Sequence, residues 1–383
     1  MKVAQIASLM NEVTSEILGN GEMVQEDLSN VVDIGKAIFD VTNVDNYVKT
    51  LVDRIGKVVF VNRVYAGSAP SVLMDAWEFG SVMEKIRTEL PNAVETSDWQ
   101  LENGKSYDPN VFTQPKAHAK FFNNKVTFEI DMSFAEKQVK ESFSSAAQLN
   151  AFVSMLYTSV DNSLTVKTDA LIMRTINNMT ALTLSADYPD ASYSATSGTK
   201  AVNLLKLFND EFGTTITKDK CMTNPEFIKF ASYMIGMYSD RITRISTLFN
   251  IGGKERFTPK DSLHLVLLTN FAKSANVYLQ SSTFHEEYTA LPNSETVPYW
   301  QGTGTQYDFN SVSKINVKNG TTEVETDGVL GVMFDTQALG VCNVDRRVTT
   351  QYNPKGEFFN NFYKFDASYY NDVDENYIVF FVA

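Results

Sequence analysis

No glycine or proline occurs between Ser133 and Tyr188. These are the two residue types that most readily interrupt a helix. Within the span, Leu149, Phe152, Val153, Leu156, Val160, Leu164, Leu171, Ile172, Ile176 and Met179 keep helical spacing. The spacing predicts one helix over residues 149–182, roughly 50 Å long at 1.5 Å per residue. Globular helices average about a dozen residues, so such a helix would be a spine crossing the molecule. The alternative is two ordinary helices broken near residue 161. Ser133-Phe134-Ala135-Glu136 reads as a capping box at a helix start.

Ahead of this span, Val126, Phe128, Ile130 and Met132 alternate with Thr127, Glu129 and Asp131, a strand with one dry face. A second β-rich run covers residues 57–65. The two runs are expected to pair as the legs of a long excursion. The segment between them carries Trp77, Trp99 and several prolines, with a short helix expected near residues 74–89. Connections of that length are usually functional. At the N-terminus, Val3, Ile6, Met10, Val13 and Ile17 form one apolar stripe on an amphipathic helix. A helix this short is marginal alone. Its stripe must dock on its own domain or on a neighbouring subunit, and these five residues are the candidate assembly contacts.

Beyond the spine, Thr199 is a candidate cap for a helix carrying Val202, Leu205, Phe208 and Phe212. Asn224-Pro225 starts a helix running to about Asn250. His264 to Leu268 reads as a short buried strand, followed by a helix from Asn270. Strands are expected at residues 313–318, 328–334 and 377–382. Residues 358–383 hold ten aromatics, which marks either a buried terminal sheet or a subunit contact.

The chemistry of a catalyst is hard to find. With 383 residues there is room for about two or three domains, yet no phosphate loop, dinucleotide fingerprint, zinc motif or nucleophile elbow occurs. The three histidines, His118, His264 and His285, are far apart in sequence, and His264 is expected in core packing. Cys221 and Cys342 are too few for a disulfide framework and read as buried thiols. Asp372, Asp374 and Glu375 form the densest carboxylate group. They fit either turn chemistry before the last strand or a divalent-cation site. Net charge is −13, which disfavours a dedicated nucleic-acid binder. Residues 1–53 alone carry nine carboxylates against three lysines. Neither a signal peptide nor a membrane-length apolar run is seen, so the chain is expected to be cytosolic at synthesis and to make no membrane contact. No enzymatic activity, cofactor or bound metal is expected.

Three segments carry a likeness to a known family. They are Leu263-His264-Leu265-Val266-Leu267-Leu268-Thr269-Asn270-Phe271 with Tyr278-Leu279-Gln280, then residues 290–302, then Gly328 to Asp335 continuing to Arg346-Arg347-Val348-Thr349 and Tyr352-Asn353-Pro354. With the order of arm, β excursion, long helix, mixed insert and β terminus, the chain resembles the major capsid protein of tailed bacteriophages. The resemblance implies an α+β, Hong Kong 97-type capsid fold. It implies an N-terminal arm at 1–53 and an extended loop with flanking strands at 54–132. A peripheral domain at 133–198 would hold the spine, with an axial domain at 199–345 and a return to the peripheral domain at 346–383. The implied function is an icosahedral shell around double-stranded DNA, built from hexamers and pentamers with a portal at one vertex, in contact with the packaged DNA only weakly. Assembly would take place in the host bacterial cytoplasm. Some family members carry a cleaved N-terminal scaffolding region. Since Met1 is kept, a separate scaffolding protein is expected. The alternatives are a protein nanocompartment of the same fold, or another virion part such as a portal or tail component.

Overall fold

The computed structural model describes residues 11, 69–74, 82–135, 146–280, 294–300, 315–319 and 322–383. In chain order these form β1 (Met83–Thr88), β2 (Ala117–Phe122), β3 (Asn124–Ala135), α1 (Ala146–Asp187), β4 (Ala201–Asn203), α2 (Leu204–Phe212), α3 (Lys218–Cys221) and α4 (Pro225–Arg241). There follow β5 (Leu263–Leu268), α5 (Thr269–Gln280), β6 (Glu295–Val297), β7 (Ile315–Asn319), β8 (Thr322–Thr326) and β9 (Val329–Asp335). The chain ends with β10 (Leu339–Asn353), β11 (Phe358–Asn371) and β12 (Tyr377–Phe381).

The spine is one helix. α1 runs unbroken through Asp161 for 42 residues, about 63 Å at 1.5 Å per residue. From Thr168 to Leu184 only Arg174, Asn178 and Leu182 escape full burial. A helix buried on all sides must satisfy its polar side chains internally. Thr168, Thr175 and Thr183 do so by donating to the carbonyls of Leu164, Leu171 and Met179, at 2.8–2.9 Å. Thr180 Oγ1 lies 2.9 Å from Tyr377 Oη, which ties the helix to the last strand.

Two sheets flank the spine. One has the order β10-β11-β3, all antiparallel. The other has the order β4-β12-β9-β5-β6, with β4 parallel to β12 and β5 parallel to β6. β12 and β9 sit inside this second sheet and are buried along their whole length. The aromatic C-terminus therefore divides between the two sheets, and Phe359, Tyr363, Phe365, Tyr370, Tyr377, Phe380 and Phe381 are all buried. The boundary expected at residue 346 falls inside β10.

Several expectations need correction. Ser133 does not cap a helix. It continues β3, pairs with Asn360 and donates to its side-chain oxygen at 2.6 Å, because a long β11 partner outcompetes a local cap. Residues 83–88 form a strand, not helix, since Met83, Lys85 and Arg87 alternate inward with Glu84, Ile86 and Thr88 outward. The cap of α2 is Asn203, not Thr199. Asn203 Oδ1 accepts from Lys206 N at 3.1 Å, while residues 201–203 pair with β12. α4 does begin at Pro225 behind the Asn224 cap but ends at Arg241, well before Asn250. The Ile242 carbonyl accepts from Thr258 N at 2.9 Å, and the chain turns into an excursion bridged at Ser246 and Arg256. The long β10–β11 hairpin and β8 were not anticipated. The expected pairing of residues 57–65 with the 126–132 strand lies outside the described residues. Among the described residues, no helix is long and apolar enough to cross a membrane.

Candidate assembly surface

The excursion before β3 has a root and a strap. The root is the antiparallel pair β1–β2, in register Met83↔Phe122, Lys85↔Lys120 and Arg87↔His118. The period of two places these six residues on one face. Two lysines directly opposite one another would repel, so this face needs anions from elsewhere.

The turn before β12 supplies them. Asp372 bonds Lys120 Nζ through Oδ1 at 2.8 Å and Lys85 Nζ through Oδ2 at 3.2 Å. Asp374 takes a second bond from Lys120 at 3.0 Å, and Glu375 is ion-paired with Arg87. Gln337 closes the ring, its carbonyl accepting from Lys85 at 2.5 Å and its amide oxygen from Arg87 at 2.7 Å. Lys85 Nζ also lies 4.8 Å from the centroid of the Tyr370 ring. The backbone holds the turn rigidly, with Asp372 N donating to Ala338 O and Gly252 N to Val373 O. Gly252 leaves room for the Asp374 carboxylate, which a Cβ there would displace.

Burial and charge act differently on the two buried carboxylates. Burial pushes Asp372 up, but the Lys120 hydrogen bond and the Lys85 charge outweigh it and hold the carboxyl below its ordinary range. Burial also pushes Glu375 up, and there Arg87 and Lys85 only partly offset it. Burial likewise lowers Lys85 despite Asp372 and Glu375. The three carboxylates read in sequence as a turn or a cation site are thus a turn whose charges are met by Lys85, Arg87 and Lys120. Among the described residues, no group of three or more His, Cys, Asp or Glu side chains is arranged to hold a metal ion.

The strap, residues 89–116, closes on its root with Glu89 N donating to Lys116 O at 2.9 Å. Its middle is ordered locally. Lys105 pairs with Asp98 at 2.9 Å, and Tyr107 Oη accepts from Glu102 N at 3.0 Å. Its apolar side chains point to solvent. Val94 is 75% exposed, Trp99 75%, Leu101 82%, Val111 72% and Phe112 84%. Isolated exposed apolar residues are ordinary, but this many on one segment mark an interaction surface.

The entry to the excursion is tethered as well. Ser71 donates through its backbone N to Glu295 Oε2 at 2.8 Å and bonds Oε1 through its hydroxyl. His264 Nε2 lies 3.1 Å from the same Glu295, and the ring packs on Phe334 with centroids 5.1 Å apart. His264 therefore does serve packing, but at a half-buried sheet edge. Ser71 and His264 meet only through a carboxylate between them, an arrangement that does not activate a serine. Cys221 and Cys342 are buried and form no disulfide. Arg347 is met by Asp345 and Asp366, at 2.8 and 2.7 Å. The candidate contacts Val3, Ile6, Met10, Val13 and Ile17 lie outside the described residues, as does His285.

A model of the Phi29-like phage major capsid protein family matches residues 10–381. The chain belongs to that family. A major capsid protein forms the shell of the phage head, and the family is structural. No curated protein sequence matches the chain. Similar solved structures come from phage particles. A chain in the structure of the head fiber and inner core protein gp22 of native bacteriophage P68 is 9% identical, with a TM-score of 0.50 over 82% of this chain and 83% of that one. A chain in the capsid structure of Staphylococcus phage Andhra is 9% identical with a TM-score of 0.48, covering 84% and 86% of the two chains. As a member of that family the capsid protein has the α+β, Hong Kong 97-like fold that its segment order implies.

The sequence reading placed Trp99 in the excursion but missed Lys85, Arg87, Lys120 and Gln337. A signal was present, since Lys85 and Arg87 alternate, as do His118 and Lys120. Only the register shows that the two pairs share a face.

Proposed function

We propose that this capsid protein builds an icosahedral head of hexamers and pentamers around double-stranded DNA, each copy laying its strap on a neighbour. Five apolar strap side chains facing solvent carry this reading. Apolar area of that kind is covered in the working state of a protein. A shell of repeated copies supplies identical partners, and closure lets several modest contacts act together. The division into arm (1–53), loop (54–132), peripheral parts (133–198 and 346–383) and axial domain (199–345) belongs to the same proposal, with β12 shared with the axial sheet. A separate scaffolding protein, a portal at one vertex and assembly in the host cytoplasm complete it. Contact with DNA is weak, as the net charge of −13 favours, and no catalysis is involved. The N-terminal stripe of Val3, Ile6, Met10, Val13 and Ile17 docks between copies.

The test is cross-linking of particles assembled from mixed light- and heavy-isotope subunits. Links from Lys105 in the strap should be half hybrid in mass. Links that are purely light or purely heavy would place the strap on its own chain and refute the reading.

A further inference from the structure

The β1–β2 root attaches to the body in an unusual way. Its outward face is bare, with Ile86 67% and Phe121 63% exposed. Of its inward face, Phe122 is the buried apolar residue, packed on Tyr370 at 5.0 Å between centroids. The other inward contacts are polar: Gln337 accepts from Lys85 and Arg87, Lys85 lies over the Tyr370 ring, and the rest are charge pairs. Lys85, Arg87 and Lys120 come from the arm, and Asp372, Asp374 and Glu375 from the body. Beside them a cleft of about 300 Å³ opens between the root and the 253–256 loop, lined by Arg87, Glu89, His118, Gly253, Lys254 and Arg256. Across this cleft Glu89 lies 3.9 Å from Lys254, a part-exposed ion pair, so on that side too the arm meets the body through charge.

We infer that β1–β2 is a latched arm, held in one attitude by this three-by-three charge cluster and free to swing as a unit when the arm's cations are lost. An apolar joint holds by excluding water and is insensitive to angle. A charge cluster holds by direction, and its net value against hydrated, separated ions is small. The cluster therefore sets the angle of the strap without welding it. Asp372 is the pivot, since its two oxygens hold both strands of the arm. The hairpin's register is made by its own backbone, and loss of Lys120 also removes the like-charge pair with Lys85, so the arm keeps its structure when released. This device concerns the single chain and does not depend on what the strap covers.

The test uses unassembled full-length subunits with nitroxide labels at Thr88→Cys on the arm and Glu226→Cys on α4, both exposed positions. The native cysteines are buried, and burial pushes the Cys221 thiol up to about 11, which spares them from labelling. The native subunit should give one narrow distance distribution by electron–electron double resonance. Arg87→Gln with Lys120→Gln should broaden it at least twofold, with the thermal unfolding midpoint of the body unchanged. Ile86→Ser, on the bare face, should leave it narrow. A narrow distribution in the double variant would show that Phe122 packing holds the arm and would overturn the inference. Unfolding of the body in that variant would overturn it equally, because the charges would then be part of the core.

Discussion

Lys85 and Lys120 stand directly opposite each other across β1 and β2, and the two oxygens of Asp372 bond them both. A like-charge pair in register destabilises a hairpin. Here it is tolerated because a carboxylate from a turn more than 250 positions away in sequence sits between the two ammonium groups. The root of the extended loop and the C-terminal turn are therefore one structural unit.

Asp372 and Glu375 should respond oppositely to pH. The folded-state pKa of Asp372 is depressed, so its stabilisation is present above the ordinary value of 3.8 and is lost as pH falls through the folded value. Asp372→Asn should cost no more than about 1 kcal/mol at neutral pH, because the released arm returns Lys85 and Lys120 to water. The pKa of Glu375 is raised, so folding gains stability as pH falls from that raised value toward 4.5. Glu375→Gln should change stability by less than about 1 kcal/mol at pH 7 and abolish that gain. Urea denaturation at a series of pH values reads both.

Trp99→Ser with Phe112→Ser should leave the monomer's thermal midpoint within a degree or two, since both side chains are exposed. Particle yield should fall at least tenfold. Light scattering during assembly measures the yield.

Ile6→Asp with Met10→Asp should block assembly while circular dichroism stays native. Loss of the folded monomer would assign the N-terminal stripe to the chain's own core.

The spine should behave as core along its C-terminal half. Ile176 is fully buried, and Ile176→Ala should cost about 3 kcal/mol. Val166, at 36% exposure, should lose less than about 1 kcal/mol on the same change. Chemical denaturation of the two variants gives the comparison.

The sequence was most informative where local patterns and tertiary structure agree. The helical spacing over residues 149–182 lies in one helix, Asn224-Pro225 opens α4, and the alternation from Val126 to Met132 lies in β3. Local signals failed where a distant partner decided. Ser133 has the chemistry of a cap but lies opposite Asn360. Residues 339–353 carry charges and threonines with little apolar alternation, and their strand is fixed by fourteen residues of β11 alongside. The charge cluster was half visible. Asp372, Asp374 and Glu375 stood out by density, whereas their cations are spread over two strands and need the register to be seen together. The strap's exposed apolar residues were invisible as such, because a sequence lists tryptophan and phenylalanine without saying whether they are covered.

The most direct test of the central claim is a cryo-electron-microscopy reconstruction of particles formed by the purified full-length protein. Closed shells of uniform size are expected, with five- and six-fold clusters and density for Trp99 and Phe112 buried on an adjoining subunit. Monomers or small open rings alone, or shells in which the strap lies free in solvent, would contradict the account.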